Sequence, residues 1–237
     1  MPQAKREKDP EVERVLFERG LSELEERIGH SFVRKRLLRQ AMTHSSFAME
    51  DGKESYERLE FLGDRVLELA VSDWLFHNRG WDEGQLSKTL AWLVDEESLA
   101  SAAEGLRLDE NVRLGKSFAG RMPTSSVLAD AFEALLGALY VDAGFGVASR
   151  IVMVHVLMEG DFGPIPDDYF SRSTLEERCR KGGLSAPTFS HQERGPEHEK
   201  EFECTVTIDD GPTGKGVGRT KKEAERKASA ELLKKLG

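Results

Sequence analysis

The sequence of 237 residues is 38% hydrophobic and 32% charged, with a mean hydropathy of -0.49. This composition is typical of a soluble globular protein with a heavily charged surface, and the length allows one large domain or two of ordinary size. The length excludes a disulfide-bonded mini-protein. No apolar run approaches the roughly 18 residues that a membrane-spanning helix needs.

Charge is distributed unevenly along the chain. The net charge of -9 and the pI near 5.3 argue at first against a nucleic-acid partner. From Asp168 onward, however, 14 basic residues stand against 13 acidic ones, for a net charge of +1, while the preceding part has 20 against 30, for a net charge of -10. Near the C-terminus a basic cluster is formed by Lys215, Arg219, Lys221, Lys222, Arg226 and Lys227.

The first residues, MPQAKREKDP, contain no apolar stretch and cannot act as a secretory signal. We therefore expect a disordered lead-in at residues 1–10 and a cytoplasmic protein. Cys179 and Cys204 have no Cys or His neighbour at metal-ligand spacing, so we expect both to be free thiols.

Hydrophobic periodicity divides the remaining chain into two domains. Apolar residues recur at three- and four-residue spacing over residues 11–158, which predicts an all-helical domain. Residues 159–168, EGDFGPIPDD, combine prolines and glycines with acidic residues and are predicted to form a linker. Residues 169–237 are predicted to form a small α+β domain of order α-β-β-β-α, with helices at about 171–181 and from Lys221, and strands at about 187–192, 200–208 and 214–219.

Three acidic residues share one face of the helix predicted for ERLEFLGDRVLEL. At 100° per residue, Glu57, Glu60 and Asp64 fall within about 60° of one another. The opposite face is predicted to be core and consists of Leu59, Leu62, Val66, Leu69 and Ala70. Alone, this pattern also fits a solvated acidic face. Phe61 lies beside the carboxylates, so we expect it either to pack under a neighbouring helix or to contact a second subunit.

A second predicted helix is apolar except for two acids. Between Ser126 and Val141, in SVLADAFEALLGALYV, the charged residues are Asp130 and Glu133. A helix that is apolar all round is usually buried, and lone carboxylates in it are costly unless they are paired or bound to metal. Either a structural Arg or Lys neutralises them, or the two acidic helices pack together and bind hard divalent cations such as Mg²⁺. A metal-loaded carboxylate cluster of this kind can hydrolyse a phosphodiester.

The last helix is predicted to begin with a basic turn. Thr220 and Glu223 have the spacing of a capping box, which places Lys221 and Lys222 in the first turn. The helix dipole repels lysines there, whereas a phosphate would be attracted by both the helix N-terminus and the lysines. The two lysines are therefore candidates for phosphate contact, with a solvated face as the alternative.

Three segments resemble, in order, motifs of the ribonuclease III family: AMTHSSF at residues 41–47, ERLEFLGDRVLEL at 57–69 and LADAFEALLGALYVD at 128–142. The resemblance implies Mg²⁺-dependent cleavage of double-stranded RNA, with Mn²⁺ as a substitute. It implies 5′-phosphate and 3′-hydroxyl ends and structured substrates such as ribosomal RNA precursors. By the same resemblance, Asp64 and Glu133 are catalytic, and the metal ligands are Glu60, Asp64, Asp130 and Glu133.

The resemblance implies further roles. Glu57 and Glu83 correspond to supporting acids, although Glu83 also fits an acid that the dipole favours at a helix N-terminus. The family is homodimeric, and the aromatic residue at the Phe61 position inserts into the partner subunit. Phe61, for which the helical pattern gave two alternatives, is therefore expected to be a dimer contact.

Two features depart from the family pattern. Arg65 follows Asp64 where a small residue is usual, and it is expected to pair with a nearby acid. The loop at residues 114–126 is shorter than in many family members and lacks their GGR run. The resemblance therefore assigns no RNA contacts to this loop. His44, a lone histidine in the first motif, is expected to cap a helix or to hydrogen-bond rather than to act as a base.

The last domain resembles the double-stranded RNA-binding domain in its α-β-β-β-α order and in GPEHEKEF and GRTKKEAERKASAELL. Such domains recognise A-form shape across two minor grooves and the phosphates between them. The resemblance implies that Lys221 and Lys222 contact phosphates and that His198 and Glu176 reach the minor grooves. Glu176 stands where Gln is common, and His198 also fits an exposed loop residue.

Two other classes of function are weighed against an endoribonuclease. A binding protein with this fold would regulate RNA without cutting it, but all four key acids are present. A structural metal protein unconnected with RNA is opposed by the C-terminal domain. The sequence leaves open the physiological RNA, the cleavage-site rules and the position of the binding domain relative to the catalytic dimer.

Overall fold

The computed structural model describes residues 10–118, 121–160, 165–195, 200–209 and 211–236. The chain divides into two compact units, Met1–Gly163 and Pro164–Gly237. In the described part, no helix combines the length and the apolar character that crossing a bilayer requires. Residues 1–9 of the predicted lead-in and residues 161–164 of the predicted linker lie outside the described residues.

The first unit is helical, as predicted from its periodicity. Its α-helices are α1 Pro10–Ile28, α2 Lys35–Ala41, α3 Ser45–Asp51, α4 Glu57–Asn78, α5 Glu83–Leu93, α6 Glu96–Gly105, α7 Ser125–Ala143 and α8 Phe145–His155. Short 3₁₀ turns occur at Leu108–Glu110, Lys116–Phe118 and Met158–Gly160. The predicted all-helical fold of this part of the chain is confirmed.

Helix α7 lies at the centre of the first unit. The hydroxyl of Thr124 caps its N-terminus by accepting a hydrogen bond from the Val127 N–H group at 3.4 Å. Every residue from 127 to 139 is buried except Asp130 and Glu133, which are half-buried. The prediction of a buried helix carrying two acids is therefore confirmed. Burial of two carboxyls among apolar side chains is costly unless they are protonated, paired or bound to a cation.

Helix α4 packs against α7 through a narrower face than its sequence pattern predicts. Leu59, Val66 and Ala70 are buried as expected. Leu69 is 57% exposed, so its predicted place in the core is wrong. The reason is angular, because Leu69 lies about 80° around the helix from Leu59 and therefore away from the line of contact.

The second unit has the predicted order of helix, three strands and helix. Its elements are α9 Ser171–Gly182, β1 Thr188–Arg194, β2 Glu201–Thr207, β3 Thr213–Gly218 and α10 Lys221–Leu236. The strands form one antiparallel sheet in the order β1-β2-β3, with Cys204 opposite His191 on one side and Gly216 on the other.

The core of the second unit lies between the sheet and the two helices. It contains Leu175, Cys179, Cys204, Val206, Ile208, Ala224, Ala228 and Leu232. Both cysteines are buried free thiols, as predicted. Helix α10 comes very close to β3, since a Cβ at Gly216 would lie 2.3 Å from the Ala224 carbonyl oxygen.

Candidate active site

Two glycines allow α4 and α7 to approach until their backbones touch. A Cβ at Gly63 would lie 1.8 Å from the Glu133 carbonyl oxygen, and a Cβ at Gly137 would lie 2.1 Å from the Leu59 carbonyl oxygen. Because backbone atoms cannot turn aside as a flexible side chain can, a larger residue at either position would force the helices apart. This contact places the acidic turn of α4 beside the acidic turn of α7.

The four acids predicted to bind metal are brought together at this contact. Glu60 and Asp64 come from α4, and Asp130 and Glu133 come from α7. Burial, followed by repulsion from Asp64, Glu60 and Asp130, raises the pKa of Glu133 to about 8. Burial, followed by repulsion from Asp130, Glu57 and Asp64, raises the pKa of Glu60 to about 7. The cluster is therefore one in which negative charges lie close enough to oppose one another's ionisation.

Arg65 partly neutralises this cluster from its edge. Its guanidinium pairs with the Asp64 carboxylate and, at 3.0 Å, with Glu68. It also lowers the pKa of Glu133, against the larger opposing effects. The expectation that Arg65 pairs with a nearby acid is confirmed. The Arg65 side chain is 59% exposed, so this pairing is screened by solvent.

Tyr56 belongs to the site and was missed by the sequence reasoning. Its side chain is 2% exposed, and its hydroxyl donates a hydrogen bond to Asp130 Oδ2 at 3.3 Å. It lies at the N-cap of α4, one residue before the segment whose helical faces were compared. An aromatic residue directly before an acidic first turn was the signal that could have indicated it.

His44 caps α3, as predicted. Its Nδ1 accepts a hydrogen bond from the Ser46 N–H group at 3.0 Å. The loop that departs from the family pattern packs nearby, with the Gly115 N–H group donating to the Ser46 hydroxyl at 2.9 Å and the Lys116 N–H group donating to Glu50 Oε1 at 2.7 Å. Residues 119–120 of that loop lie outside the described residues.

The two supporting acids lie in different environments. Glu57 is in the first turn of α4, accepts a hydrogen bond from the Ser55 hydroxyl at 3.0 Å, and raises the pKa of Glu60. Glu83 begins α5 and accepts a hydrogen bond from the Ser87 hydroxyl at 2.9 Å. It is not among the groups that shift the pKa of Glu60 or Glu133. Its position fits an acid at a helix N-terminus, and its supporting role stays a prediction.

The donor chemistry of the cluster fits a divalent cation. Within the described ranges, no group of three or more His, Cys, Asp or Glu side chains is arranged to hold a metal ion as it stands. The four half-buried carboxyls nevertheless offer hard oxygen donors, and the pKa values of Glu133 and Glu60 are raised by burial first and then by the negative charge of neighbouring carboxyls. Rotation of these side chains toward a shared cation would relieve that repulsion.

Phe61 is 76% exposed within one chain. It therefore does not pack under a neighbouring helix of its own chain, which was one of the two expectations for it. Leu69 and Phe76, which follow on the same helix, are 57% and 71% exposed. An apolar surface of this kind next to a polar cluster is typical of an interaction site.

The predicted phosphate-binding turn opens α10. The Thr220 hydroxyl accepts a hydrogen bond from the Glu223 N–H group at 3.1 Å, so the predicted cap is present. The Glu223 carboxylate also accepts a hydrogen bond from the Arg219 N–H group at 2.7 Å, so it lies back over the start of the helix. Lys221 and Lys222 are both exposed in the first turn.

Glu176 is held by a network of charges in the second unit. Arg172 binds Glu176 at 3.1 Å and also pairs with Glu225, which binds His191 at 2.8 Å. Glu176 remains exposed on α9. His198, the other residue predicted to reach a minor groove, lies outside the described residues.

Comparison with known families gives two matches. The family described as Ribonuclease-III-like matches residues 34–159, and the double-stranded RNA binding motif matches residues 171–236. These ranges contain the acidic residues of α4, α5 and α7 and the basic residues of α10 described in this subsection. The acidic cluster falls in the first match and the basic turn of α10 in the second.

Individual proteins show the same similarity. Ribonuclease 3 of Oceanobacillus iheyensis is 42% identical over 89% of this chain and 95% of its own length, and that of Caldanaerobacter subterraneus is 42% identical over 92% and 98%. The nuclease domain of ribonuclease III from Campylobacter jejuni is 38% identical, with a TM-score of 0.54, and covers 58% of this chain and 96% of that structure. The chain therefore belongs to the ribonuclease III family, the endoribonucleases that act on double-stranded RNA.

Proposed function

We propose that this chain cleaves double-stranded RNA with Mg²⁺ ions, which Mn²⁺ can replace, bound by Glu60, Asp64, Asp130 and Glu133. Enzymes of the ribonuclease III family are metal-dependent. The observation that carries the proposal is the backbone contact of α4 and α7 at Gly63 and Gly137, which brings four half-buried carboxyls of the two helices together. A divalent cation is the ligand that such a cluster of oxygen donors favours.

Asp64 and Glu133 are proposed as the catalytic pair of the cluster. When bound, magnesium supplies an activated water and stabilises charge on the leaving oxygen of the phosphodiester. The carboxylates of the chain orient that chemistry, because they project from two helices locked together by backbone contact. Glu57 supports the site through its charge beside Glu60, and Glu83 is proposed as a further supporting acid. Hydrolysis leaves 5′-phosphate and 3′-hydroxyl ends.

The active form is proposed to be a homodimer. Phe61 is exposed beside the cluster, as an aromatic residue that inserts into a partner would be. The Campylobacter jejuni nuclease domain is described with a region involved in dimer formation, which supports the proposal. Two clusters, one from each subunit, would cut the two strands of a duplex and leave short 3′ overhangs.

The binding of the duplex is proposed to involve the second unit. Exposed Lys221 and Lys222 are suited to phosphate contacts, while Glu176 and His198 are proposed to reach the minor grooves. In this scheme the nuclease domain comprises residues 11–158 and cuts the RNA, and the binding domain comprises residues 169–237 and binds the duplex. Residues 159–168 form the linker that joins the two domains. Structured precursors, including ribosomal RNA, are the proposed substrates.

A cleavage assay on a long RNA duplex tests the metal and carboxylate assignments. Wild type, Glu133→Gln and Glu104→Gln are incubated with the duplex in Mg²⁺ and in EDTA, and binding is measured in parallel in EDTA. Glu104 is an exposed acid of α6, so its substitution is a matched control for loss of one charge. We expect Mg²⁺-dependent cleavage by wild type and Glu104→Gln, and retained binding with negligible cleavage by Glu133→Gln.

Two results would contradict the proposal. Cleavage by Glu133→Gln at the wild-type rate would show that the Glu133 carboxylate is not required for catalysis. Equal cleavage of single-stranded RNA of the same length would show that the enzyme is not specific for double-stranded RNA. Binding without cleavage by the wild type would instead favour a regulatory RNA-binding protein.

A further inference from the structure

Tyr56 forms a hydrogen bond with one carboxylate oxygen of Asp130, a proposed metal ligand. The tyrosine hydroxyl donates to Asp130 Oδ2 at 3.3 Å, and the ring is almost completely buried. In the part of the chain that the structure describes, the other carboxylate oxygen, Oδ1, accepts no hydrogen bond. One oxygen of Asp130 is therefore fixed by the protein, while the other is left for a ligand.

Tyr56 is itself held in place from several sides. Its N–H group donates to the Thr43 carbonyl oxygen at 2.9 Å. Its ring forms a T-shaped contact with the ring of His44 at a centroid distance of 5.6 Å, and His44 forms a second such contact with Phe118 at 5.2 Å. Because the ring is fixed by backbone and aromatic contacts, the direction of its hydroxyl is fixed as well.

The hydroxyl is the hydrogen-bond donor in its contact with Asp130. Burial, followed by the negative charges of Asp130 and Glu60, raises the pKa of Tyr56 far above its ordinary value. Both effects favour the protonated hydroxyl, which is the form that donates to Asp130.

We propose that Tyr56 is a positioning residue, which orients Asp130 so that its free oxygen binds the divalent cation. The inference rests on the proposed function, since it takes Asp130 as a metal ligand. Groups that hydrogen-bond to metal ligands fix the orientation of those ligands, and their removal typically weakens metal binding by about 10- to 100-fold. A buried hydroxyl that only satisfied its own hydrogen bond would have no such effect.

The test compares Tyr56→Phe with Tyr140→Phe. The first substitution removes the hydroxyl and keeps the buried ring, and the second removes a hydroxyl from a tyrosine of α7 that is 40% exposed. The rate of duplex cleavage is measured as a function of Mg²⁺ concentration. Stabilisation of the RNA-free protein by MgCl₂ is measured separately by thermal unfolding, with the EDTA sample as the check on folding.

For Tyr56→Phe we expect the half-saturating Mg²⁺ concentration to rise by about tenfold in both measurements. The cleavage rate should return close to the wild-type rate at saturating Mg²⁺, and duplex affinity in EDTA should not change. Tyr140→Phe should match wild type throughout. This combination separates positioning of a ligand from a general loss of structure, since lower stability alone would not be corrected by more metal.

A half-saturating concentration within twofold of wild type would overturn the inference, whether or not the metal-free melting temperature fell. Asp130→Asn is included to separate this outcome from failure of the proposed function. If Asp130→Asn cuts like wild type, Asp130 is not a metal ligand and the proposed function is wrong. If Asp130→Asn is inactive while Tyr56→Phe shows normal Mg²⁺ dependence, only the role of Tyr56 is wrong.

Discussion

Glu133 and Glu60 differ from ordinary surface carboxyls in the pH at which they lose their protons. Without metal, the pKa of Glu133 is about 8 and that of Glu60 about 7, against an ordinary value of 4.5. A carboxyl whose pKa is higher in the folded than in the unfolded protein contributes stability at pH values below about 4.5. That contribution is lost as the pH rises through 7 and 8. The metal-free protein is therefore destabilised by its own acidic cluster under mildly alkaline conditions.

Replacing Glu133 by Gln should make the metal-free protein more stable at pH 8.5. The amide is nearly isosteric but carries no charge, so the cost of burying a charge disappears together with the repulsion from Asp64 and Glu60. Allowing for solvent screening of a half-buried group, we expect a gain on the order of 1 kcal/mol at pH 8.5 that vanishes by pH 4.5. Urea unfolding in EDTA at a series of pH values measures it.

The control for this substitution is Glu104→Gln, which removes an equal charge from an exposed site of α6. It should change stability by no more than a few tenths of a kcal/mol at any pH. A Glu133→Gln variant that was less stable than wild type at pH 8.5 would mean that the charge is already compensated in the metal-free protein.

Among the secondary-structure elements, the contact between α4 and α7 decides whether the four acids meet. A Cβ added at Gly63 would lie 1.8 Å from the Glu133 carbonyl oxygen and 2.9 Å from the Gly137 nitrogen. We expect Gly63→Ala to destabilise the protein by about 1–3 kcal/mol or more, because the helices must separate. Cleavage should fall more steeply than stability, because the separation also pulls the carboxyls of the two helices apart.

The glycine prediction has a control on α8. A Cβ at Gly146 would meet no atom within 4 Å, so Gly146→Ala should be neutral or stabilising by up to about 1 kcal/mol. Unfolding in urea and duplex cleavage are measured for both variants. Wild-type stability and activity of Gly63→Ala would show that the helices can part without harm to the site.

Sequence patterns predicted the elements of this protein better than their contacts. Period and spacing were enough to predict the buried character of α7 and the acidic face of α4, since both are properties of one helix. They could not predict that Gly63 and Gly137 face each other, which depends on how two helices cross. Leu69 was misplaced for the same reason, because a helical wheel gives a direction but not the width of the partner that covers it.

Contacts between distant segments explain the other differences between expectation and structure. Tyr56 reaches Asp130 across 74 positions of sequence, a contact that no local pattern reports. By contrast, the N-cap at Thr220 was predicted from local spacing and is present, and Glu223 also accepts from the Arg219 N–H group. Resemblance to a family supplied the roles of the acids, which composition and periodicity left open.

The first turn of α10 is suited to a test of RNA contact. We expect Lys221→Ala/Lys222→Ala to weaken duplex binding roughly tenfold or more near 0.1 M salt, since two phosphate contacts are lost. The slope of log affinity against log salt concentration should fall by about 2. Binding is measured in EDTA, so that the duplex is not cut.

The double variant Lys234→Ala/Lys235→Ala removes the same charge from the other end of α10 and should leave the slope unchanged. Equal losses of affinity and slope in the two double variants would indicate that only net charge matters. Phosphate recognition by the helix N-terminus would then have no support.

For the whole molecule, charge and function are divided between two units. The acidity of the chain lies before Asp168, where the proposed metal site is, and the nearly neutral remainder carries the basic turn. A polyanionic substrate is repelled by an acidic surface unless cations or a second contact compensate. The arrangement is therefore consistent with a binding unit that retains the duplex and a metal-loaded cluster that cuts it.

Dimerisation is the property of the whole molecule that Phe61 should control. Its side chain is 76% exposed in one chain, and insertion into a partner would bury it twice per symmetric dimer. Loss of a buried aromatic anchor typically costs at least about 2 kcal/mol per contact, so Phe61→Ala should raise the dimer Kd by roughly 1000-fold. Sedimentation velocity over a range of concentrations measures this change.

Met49→Ala is the matched control, because Met49 is an apolar residue of α3 that is 85% exposed. It should leave the dimer Kd within a few-fold of wild type. Under conditions where Phe61→Ala is monomeric, each chain still carries a complete set of the four acids, but a duplex meets one cluster at a time. We therefore expect nicks in single strands in place of double-strand cuts, and unchanged double-strand cutting by a monomeric variant would contradict the role proposed for the dimer.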